Sequence, residues 1–325
     1  MITVARTPPS TQRSGFSLFQ SQEATLAVFL IVLVAVIAVI APAFLERQNI
    51  EDVLVNASFV AIASVGMTMV IVGGQIDISI GSILAVCAVL AGNLAVAGVP
   101  LIVLIPVTLI AGTLIGALNG LLVAYANIPS IIVTLGTLWF WRGLVITITK
   151  GAWIYNMPES FHFAQRDWLG VPIPVWIMLI TVLGGGLFMK YRPLGRQIYA
   201  VGGNPQAALL AGVSVKRITF MTFALSGFFT AIAAILYASR FSVVQTNAGL
   251  GFEFQVITAV VVGGTSIMGG TGSVFGSLLG ALLIAVIATG MTFMKVSAYW
   301  LQTVQGSLIL LAVVADVLRR RRATR

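Results

Sequence analysis

The sequence predicts an all-α polytopic membrane protein of about ten transmembrane helices with both termini in the cytoplasm, for three reasons. First, 59% of the 325 residues are hydrophobic and only 8% are charged, with a mean hydropathy of +1.06. Soluble globular proteins carry about 25% charged residues, so this chain cannot cover itself with a surface compatible with water. Second, the apolar residues come in runs of membrane-spanning length. Third, Lys and Arg cluster in a few segments outside these runs.

Ten apolar runs are candidate spans, since a helix needs about 20 apolar residues to cross the hydrocarbon core. The first run is too long for the core of a signal peptide and lacks a clear cleavage site, so we expect a retained first helix. The run at 254–268 is short, and we expect it to be tilted, broken or extended toward its N-terminus. The predicted spans are residues 24–44, 53–73, 78–97, 101–125, 130–149, 173–190, 218–238, 254–268, 274–293 and 297–317.

The distribution of Lys and Arg predicts the orientation and the domains. Twelve of the 18 basic residues lie in the N-terminal tail, in the segment 190–217 or at the C-terminus, and not along a stripe of a soluble domain, so the net charge of +9 does not indicate a nucleic-acid partner. The positive-inside rule places these segments in the cytoplasm. We therefore predict a flexible cytoplasmic tail at 1–22, a transmembrane domain at 23–317 with a cytoplasmic loop at 191–217, and a basic cytoplasmic tail at 318–325.

Two sets of glycines at a spacing of four predict close helix packing, because missing side chains on one helix face let a neighbouring backbone approach. A static contact and a surface that slides during transport both stay open. Residues 70–74 and 260–264 also have nearly the same sequence, which we interpret as shared turn chemistry or chance. The two glycine sets are Gly112, Gly116, Gly120 and Gly272, Gly276, Gly280.

The polar segment 73–82 interrupts an otherwise apolar stretch. An ionised Asp near the bilayer centre costs roughly 2.5–3.5 kcal/mol on insertion scales, so Asp77 should face a polar cavity, a partner or the membrane surface. Gly73-Gly74 allows the helix to break, and Asp77 or Ser79 can cap the next helix. Capping and lining of a translocation pathway both stay open.

Other polar or aromatic residues in or near the spans complete the candidate pathway. Trp139 could stack on a sugar ring or belong to the aromatic belt of the membrane interface. Arg142 lies near the outer end of its predicted span, and we expect it to snorkel outward. The candidate pathway residues are Gln75, Asp77, Ser79, Asn93, Asn119, Trp139, Arg142 and Glu253.

A two-turn helix capped at both ends is predicted in the cytoplasmic loop. Asn204 is a good N-cap, Pro205 suits the first helical position, and Gly212 is a favoured terminator. So short a helix is marginal in water, so it should pack on its own membrane domain or dock in a groove of another protein.

The usual sites of enzymes and metalloproteins are missing from the sequence. No glycine-rich segment ends in Gly-Lys-Ser or Gly-Lys-Thr, so there is no Walker A loop, and there is no Gly-x-Ser-x-Gly motif. His162 is the only histidine and Cys87 the only cysteine. We therefore predict no catalytic residue, no metal site and no cofactor bound by this chain.

Three motifs resemble one family. Residues 76–82, 194–196 with 202–204, and 262–266 with 269–270 look like those of permeases of bacterial ABC importers for ribose and related sugars, within the branched-chain amino acid/ribose permease family. Permeases for autoinducer-2 are close relatives. The likeness covers about residues 50–317, and segments 130–143 and 150–158 resemble the autoinducer-2 and rhamnose branches as much as the ribose branch.

The resemblance implies a multi-pass subunit of the bacterial inner membrane. It would work as a dimer, homo- or heteromeric, with cytoplasmic ATPases that use ATP and a periplasmic sugar-binding protein. It also implies that the short cytoplasmic helix is the ATPase-coupling helix. Its residues are Asn204, Pro205, Gln206, Ala207, Ala208, Leu209, Leu210 and Gly212, supported by Arg192, Gly195, Arg196, Gly202 and Gly203.

The sequence leaves two other functions open. An ion-coupled secondary transporter would need an intramembrane carboxylate or unwound carbonyls to hold its coupling ion, and Asp77 is the main candidate for that role. A membrane enzyme would need a catalytic constellation, and none is apparent in the sequence.

Overall fold

The computed structural model describes residues 22–297 and 300–323, and α-helices dominate this part of the chain. Two 3-10 helices, Pro42–Leu45 and Glu159–Gln165, and two short antiparallel strands, β1 (Asp167–Trp168) and β2 (Val171–Pro172), join them. The α-helices are α1 (Gln22–Ile40), α2 (Arg47–Val72), α3 (Ile80–Val96), α4 (Leu101–Ala124), α5 (Ser130–Thr149), α6 (Ile173–Tyr191), α7 (Pro193–Gly203), α8 (Pro205–Leu210), α9 (Val215–Arg240), α10 (Phe252–Val262), α11 (Val274–Phe293) and α12 (Trp300–Ala323).

Seven helices of the described chain are long and apolar enough to cross a membrane: α1, α2, α4, α5, α6, α9 and α11. The apolar parts of α3, α10 and α12 are shorter. These ten helices match the ten predicted runs, so the prediction of an all-α polytopic membrane protein is confirmed. The number of crossings and the side of the termini stay predictions, and the tail predicted at 1–22 lies, apart from Gln22, outside the described residues.

Four helices differ clearly from the predicted spans. The helix α1 ends at Ile40, because Pro42 starts a 3-10 turn. The helix α2 begins six residues before the predicted span, since a polar turn still forms helix and Arg47 pairs with Glu51 at 2.6 Å. The helix α10 has only 11 residues and α12 runs on to Ala323, into the stretch predicted as a basic tail.

The segment 193–203, predicted as part of a loop, instead forms α7. Pro193 stands in its first turn after the extended residue Arg192, which suits a helix start. Its buried residues Ile198 and Val201 lie on one face. Packing of this face stabilises the helix, although the consecutive residues Gly202 and Gly203 have a low helix propensity.

Helix α2 forms the core of the bundle, since nearly all of its residues from Val53 to Val72 are buried. Helix α4 packs closely on α9. A Cβ atom on Gly112 would lie 2.6 Å from the Cβ of Ala231, and one on Gly120 would lie 2.8 Å from the Phe220 carbonyl oxygen. In the second glycine set, Gly276 and Gly280 meet the backbone of α10 and its C-terminal turn in the same way. The prediction of close helix packing is therefore confirmed for the first set and for Gly276 and Gly280, whereas Gly272 precedes α11 and lies against the side chain of Thr265.

Helices α2 and α10 end in the same backbone motif. The amides of Gly74 and Gln75 bond to the carbonyls of Ile71 and Val70, and the amides of Gly264 and Thr265 bond to those of Val261 and Val260. Gly74 (φ +78°) and Gly264 (φ +98°) are left-handed, so both ends are Schellman caps. Shared turn chemistry therefore explains the repeated sequence at 70–74 and 260–264.

Helix α2 defines two ends of the bundle. At its start, Asp52 accepts from Arg240 of α9 at 3.0 Å. At its other end, Val72 accepts a hydrogen bond from Gly270 and approaches α7. We call these the Asp52 end and the α7 end.

Candidate functional site

The predicted capped helix is present as α8. The side chain of Asn204 accepts a hydrogen bond from the Ala207 amide at 3.0 Å. At the other end Gly212 is left-handed (φ +81°), its amide bonds to Leu209, and the Val213 amide bonds to Ala208. A local sequence signal at each end therefore produces the helix.

Most of α8 points away from the bundle. Ala208 is 5% exposed and anchors the helix, whereas Leu209 is 63% and Leu210 90% exposed. Of the two alternatives left by the sequence, this favours docking to another protein, since two adjacent leucines presented outward gain nothing from their own domain. The remaining α8 positions, Asn204 to Ala207 and Gly212, are also exposed.

The support residues hold α7 against the bundle. A Cβ on Gly195 would overlap the backbone of Phe188 and Met189 at the end of α6. Arg196 donates to the Tyr191 carbonyl at 3.1 Å, while Arg192 is exposed at the start of α7.

The end of α7 meets two other segments through backbone alone, at a set of residues that we call the glycine junction. A Cβ on Gly202 would overlap the Val72 carbonyl, and the Gly270 amide donates to that same carbonyl at 2.8 Å. No side chain separates α7, the end of α2 and the segment 263–273 there. The junction consists of Gly74, Gly202, Gly203, Gly269 and Gly270.

Tyr199 adds a side-chain bond beside the junction. Its hydroxyl donates to the Gly272 carbonyl at 2.8 Å. Burial raises the pKa of Tyr199, so it stays a protonated donor at physiological pH. The α7 helix is thus tied to segment 263–273 by both backbone and side chain.

Three predicted pathway residues, Asp77, Ser79 and Asn119, meet in one buried network. Asp77 accepts from the Ser79 amide at 3.0 Å, from the Ser79 hydroxyl at 2.5 Å and from Ser226 at 3.2 Å. Asn119 donates to the Ser79 hydroxyl at 2.8 Å. The network joins the α2–α3 connection to α4 and α9. The Ser79 side chain does not cap α3, one of the two caps that the sequence allowed, because it makes no hydrogen bond to an amide of that helix.

Ser226 was missed from the sequence, because one serine on an apolar helix is common and its partner lies 149 residues away. Only the packing of α9 against α2 shows that Ser226 lies at a close helix contact. The Cα of Ser226 would lie 2.6 Å from a Cβ on Gly66 of α2.

Two further predicted pathway residues, Arg142 and Glu253, are buried near the starts of α3 and α10. Arg142 of α5 is 7% exposed and donates to the Ala248 carbonyl at 2.6 Å. The expectation that Arg142 snorkels outward is therefore wrong, because a carbonyl within the bundle binds it. Glu253 is 5% exposed and lies against Gly81, where any side chain would overlap its carboxyl group.

The three other predicted pathway residues join neither group. Gln75 is half-buried in the turn after α2, and Asn93 is exposed near the end of α3. Trp139 is 70% exposed at the middle of α5, so neither its burial nor its place along the helix supports the interface belt. Among the described residues, no group of acidic, histidine and cysteine side chains could hold a metal ion.

Comparison with known proteins gives consistent matches over most of the chain. The family described as branched-chain amino acid transport system / permease component matches residues 49–313. The ribose import permease protein RbsC of Haemophilus influenzae is 39% identical over 292 residues, which cover 88% of this chain and 90% of that protein. RbsC of Escherichia coli K12 is 36% identical over 297 residues, covering 88% and 91%.

A permease whose name gives a different transported molecule is similar over an equally large share of the chain. The autoinducer 2 import system permease protein LsrC of Photorhabdus laumondii is 33% identical over 297 residues, which cover 91% of this chain and 89% of that protein. No solved structure matches the chain.

Proposed function

The chain belongs to the family of branched-chain amino acid transport system permease components, and from this premise we propose that it is the membrane-spanning subunit of an ATP-binding-cassette importer for a sugar. As a permease component it is a transport subunit and not an enzyme. The substrate is a monosaccharide or a sugar-like molecule of the ribose, rhamnose or autoinducer-2 class, which enters the cytoplasm. The full-length similarity to ribose and autoinducer-2 permeases supports this.

We propose the bacterial inner membrane as its location, with the α7 end and both termini in the cytoplasm. The positive charge of segment 190–217 supports this orientation. The partners are a cytoplasmic ATPase that uses the ATP, a periplasmic binding protein at the Asp52 end, and a second permease subunit.

The single observation that carries the mechanism is the outward-facing pair Leu209 and Leu210 on the capped helix α8. Two apolar side chains on a rigid helix suit a groove of the ATPase. When the ATPase moves α8, the glycine junction passes that movement to α2 and to segment 263–273, because the backbone of Gly202 packs directly against Val72 and Gly270 and the Tyr199 hydroxyl binds the Gly272 carbonyl.

The test replaces Leu209 and Leu210 together by Ser. We expect ATP-dependent sugar uptake by the reconstituted importer to fall at least tenfold, which corresponds to about 1.4 kcal/mol of lost docking energy. Membrane insertion should be unchanged, since both side chains are exposed. Leu169→Ser is the matched control, because Leu169 is 76% exposed in the β1–β2 turn, on the side of the protein away from α8. Normal uptake by the double variant would contradict the docking role of α8.

A further inference from the structure

A cavity of about 310 Å³ lies between five helices on the side of the bundle away from α8. It is bounded by the middle of α2, the end of α9, the start of α10, the second half of α11 and the start of α12. None of the pathway residues predicted from the sequence lines it. We call it the amide chamber, after the side chains of Asn56, Gln255 and Gln305.

The polar groups of the chamber are neutral. Each of its three amides offers both donors and an acceptor, and Thr289 adds a hydroxyl. None of the described residues that line the chamber carries a charge. This combination suits a neutral molecule with several hydroxyl groups and does not compensate the charge of an ion.

Gln305 points to a missing partner. The side chain is 6% exposed, it lines the chamber, and its amide nitrogen has no hydrogen-bond partner. Buried donors without a partner are rare in native proteins, because desolvation without a hydrogen bond is unfavourable. Because Gln305 lines the chamber, rotation of its amide group toward the cavity would bring this donor within reach of a ligand oxygen.

An aromatic wall faces the same space. The ring of Tyr237 lies 5.9 Å from that of Phe59 and 4.8 Å from that of Phe241, measured between centroids. Such a wall offers a surface for the C–H face of a sugar ring, while the amides address its hydroxyls. The volume is at the lower end of the range of about 300–1,000 Å³ for small-molecule pockets, which suits one sugar ring.

We propose that the amide chamber is a binding site for a single neutral monosaccharide or sugar-like molecule, held by Gln305 and the two other amides against the Phe59–Tyr237–Phe241 wall. The site deepens the proposed transport function and rests on it for the class of ligand. It also lies beside the start of α10, since Phe252 and Gly249 line the chamber and Gly249 contacts Gly81 of α3. An occupied chamber therefore contacts the helix that carries Glu253.

The first test measures binding of radiolabelled D-ribose, L-rhamnose and autoinducer-2 to the full chain in lipid nanodiscs. We expect one of the three to bind, and Gln305→Leu to weaken that binding about tenfold, as expected for one lost hydrogen bond to a buried donor. Gln302→Leu is the matched control, since Gln302 lies one turn earlier on α12 and is exposed. Equal binding by the Gln305→Leu protein, or no binding of any of the three by the parent chain, would overturn the proposal.

A second measurement does not depend on a loss of affinity. The only native cysteine, Cys87, is buried, so Ala288→Cys places a single reactive thiol in the chamber wall. The sugar that binds should slow the reaction of this thiol with a maleimide, and should not slow that of Leu169→Cys. Absence of protection overturns the site. ATP-dependent uptake by the assembled importer, measured on the same parent protein, shows separately whether the transport function itself fails.

Discussion

At the scale of single residues, the carboxyl group of Asp77 holds the turn between α2 and α3 in place. Its three hydrogen bonds come from the Ser79 amide, the Ser79 hydroxyl and Ser226, and all of these groups are fully buried. Removing the acceptor leaves three donors without a partner inside the bundle. The structural role of Asp77 therefore follows directly from its contacts.

We predict that Asp77→Leu lowers the free energy of unfolding by about 3 kcal/mol or more, since it leaves three buried donors without their acceptor and each costs about 1–3 kcal/mol. Asp77→Asn should cost less, because its amide oxygen can still accept from Ser79 and the Ser226 hydroxyl can accept from its NH₂ group. Thermal unfolding in detergent measures both. A Leu variant as stable as the parent would show that this network does not stabilise the bundle.

For a buried contact, the sequence identifies the unusual residue but not the residue that it binds. An aspartate in an apolar stretch is conspicuous because its burial is costly, so Asp77 was found. Its partner Ser226 and the unpartnered Gln305 are ordinary residues on apolar helices, and only the packing of distant segments makes them important.

At the scale of helices, the contact between α4 and α9 depends on missing side chains. A Cβ on Gly116 would overlap the Phe223 carbonyl and lie 3.0 Å from the Gly227 Cα. These are backbone atoms, which cannot rotate away. One methyl group must therefore shift one helix against the other.

We predict that Gly116→Ala lowers the stability by about 1–3 kcal/mol through overpacking. Gly136→Ala on α5 is the matched control, since a Cβ there has no neighbour within 4 Å. It should stabilise the helix by about 0.5–1 kcal/mol, the usual gain of Ala over Gly inside a helix. Thermal unfolding of both proteins in the same detergent gives the comparison, and two equal shifts would argue against close α4–α9 packing.

The helices that the sequence predicts well are those whose signals are local. The cap residues Asn204 and Gly212 predict α8 correctly, and the spacing of four between glycines predicts that another helix packs closely on α4, although not that this helix is α9. Helix α7 was missed because its stability comes from docking on α2 and segment 263–273. Its own Gly202-Gly203 pair favours a turn.

At the scale of the whole molecule, composition and the spacing of apolar runs predict the membrane fold. The two functional regions lie on opposite sides of that fold: the outward leucines of α8, and the amide chamber. Helix α2 takes part in both, because Asn56 and Phe59 line the chamber while Val72 lies at the glycine junction. Sequence could not predict this link, since it depends on which faces of distant helices meet.

The glycine junction allows coupling to be tested separately from ATPase binding. Gly202→Ala places a methyl group against the Val72 carbonyl, whereas a Cβ on the neighbouring Gly203 lies 3.9 Å from its nearest neighbour, the Gly270 Cα. We predict that Gly202→Ala keeps ATPase binding, because α8 is unchanged, but lowers ATP-dependent uptake at least tenfold.

Gly203→Ala should keep both activities. Co-purification measures ATPase binding and uptake by proteoliposomes measures coupling. A Gly202→Ala importer that transports normally would exclude the junction as the route of coupling. Loss of ATPase binding together with uptake would instead show that the junction only shapes α8. Because the two glycines are adjacent, a difference between them reports the contact of Gly202 with the end of α2 and with Gly270.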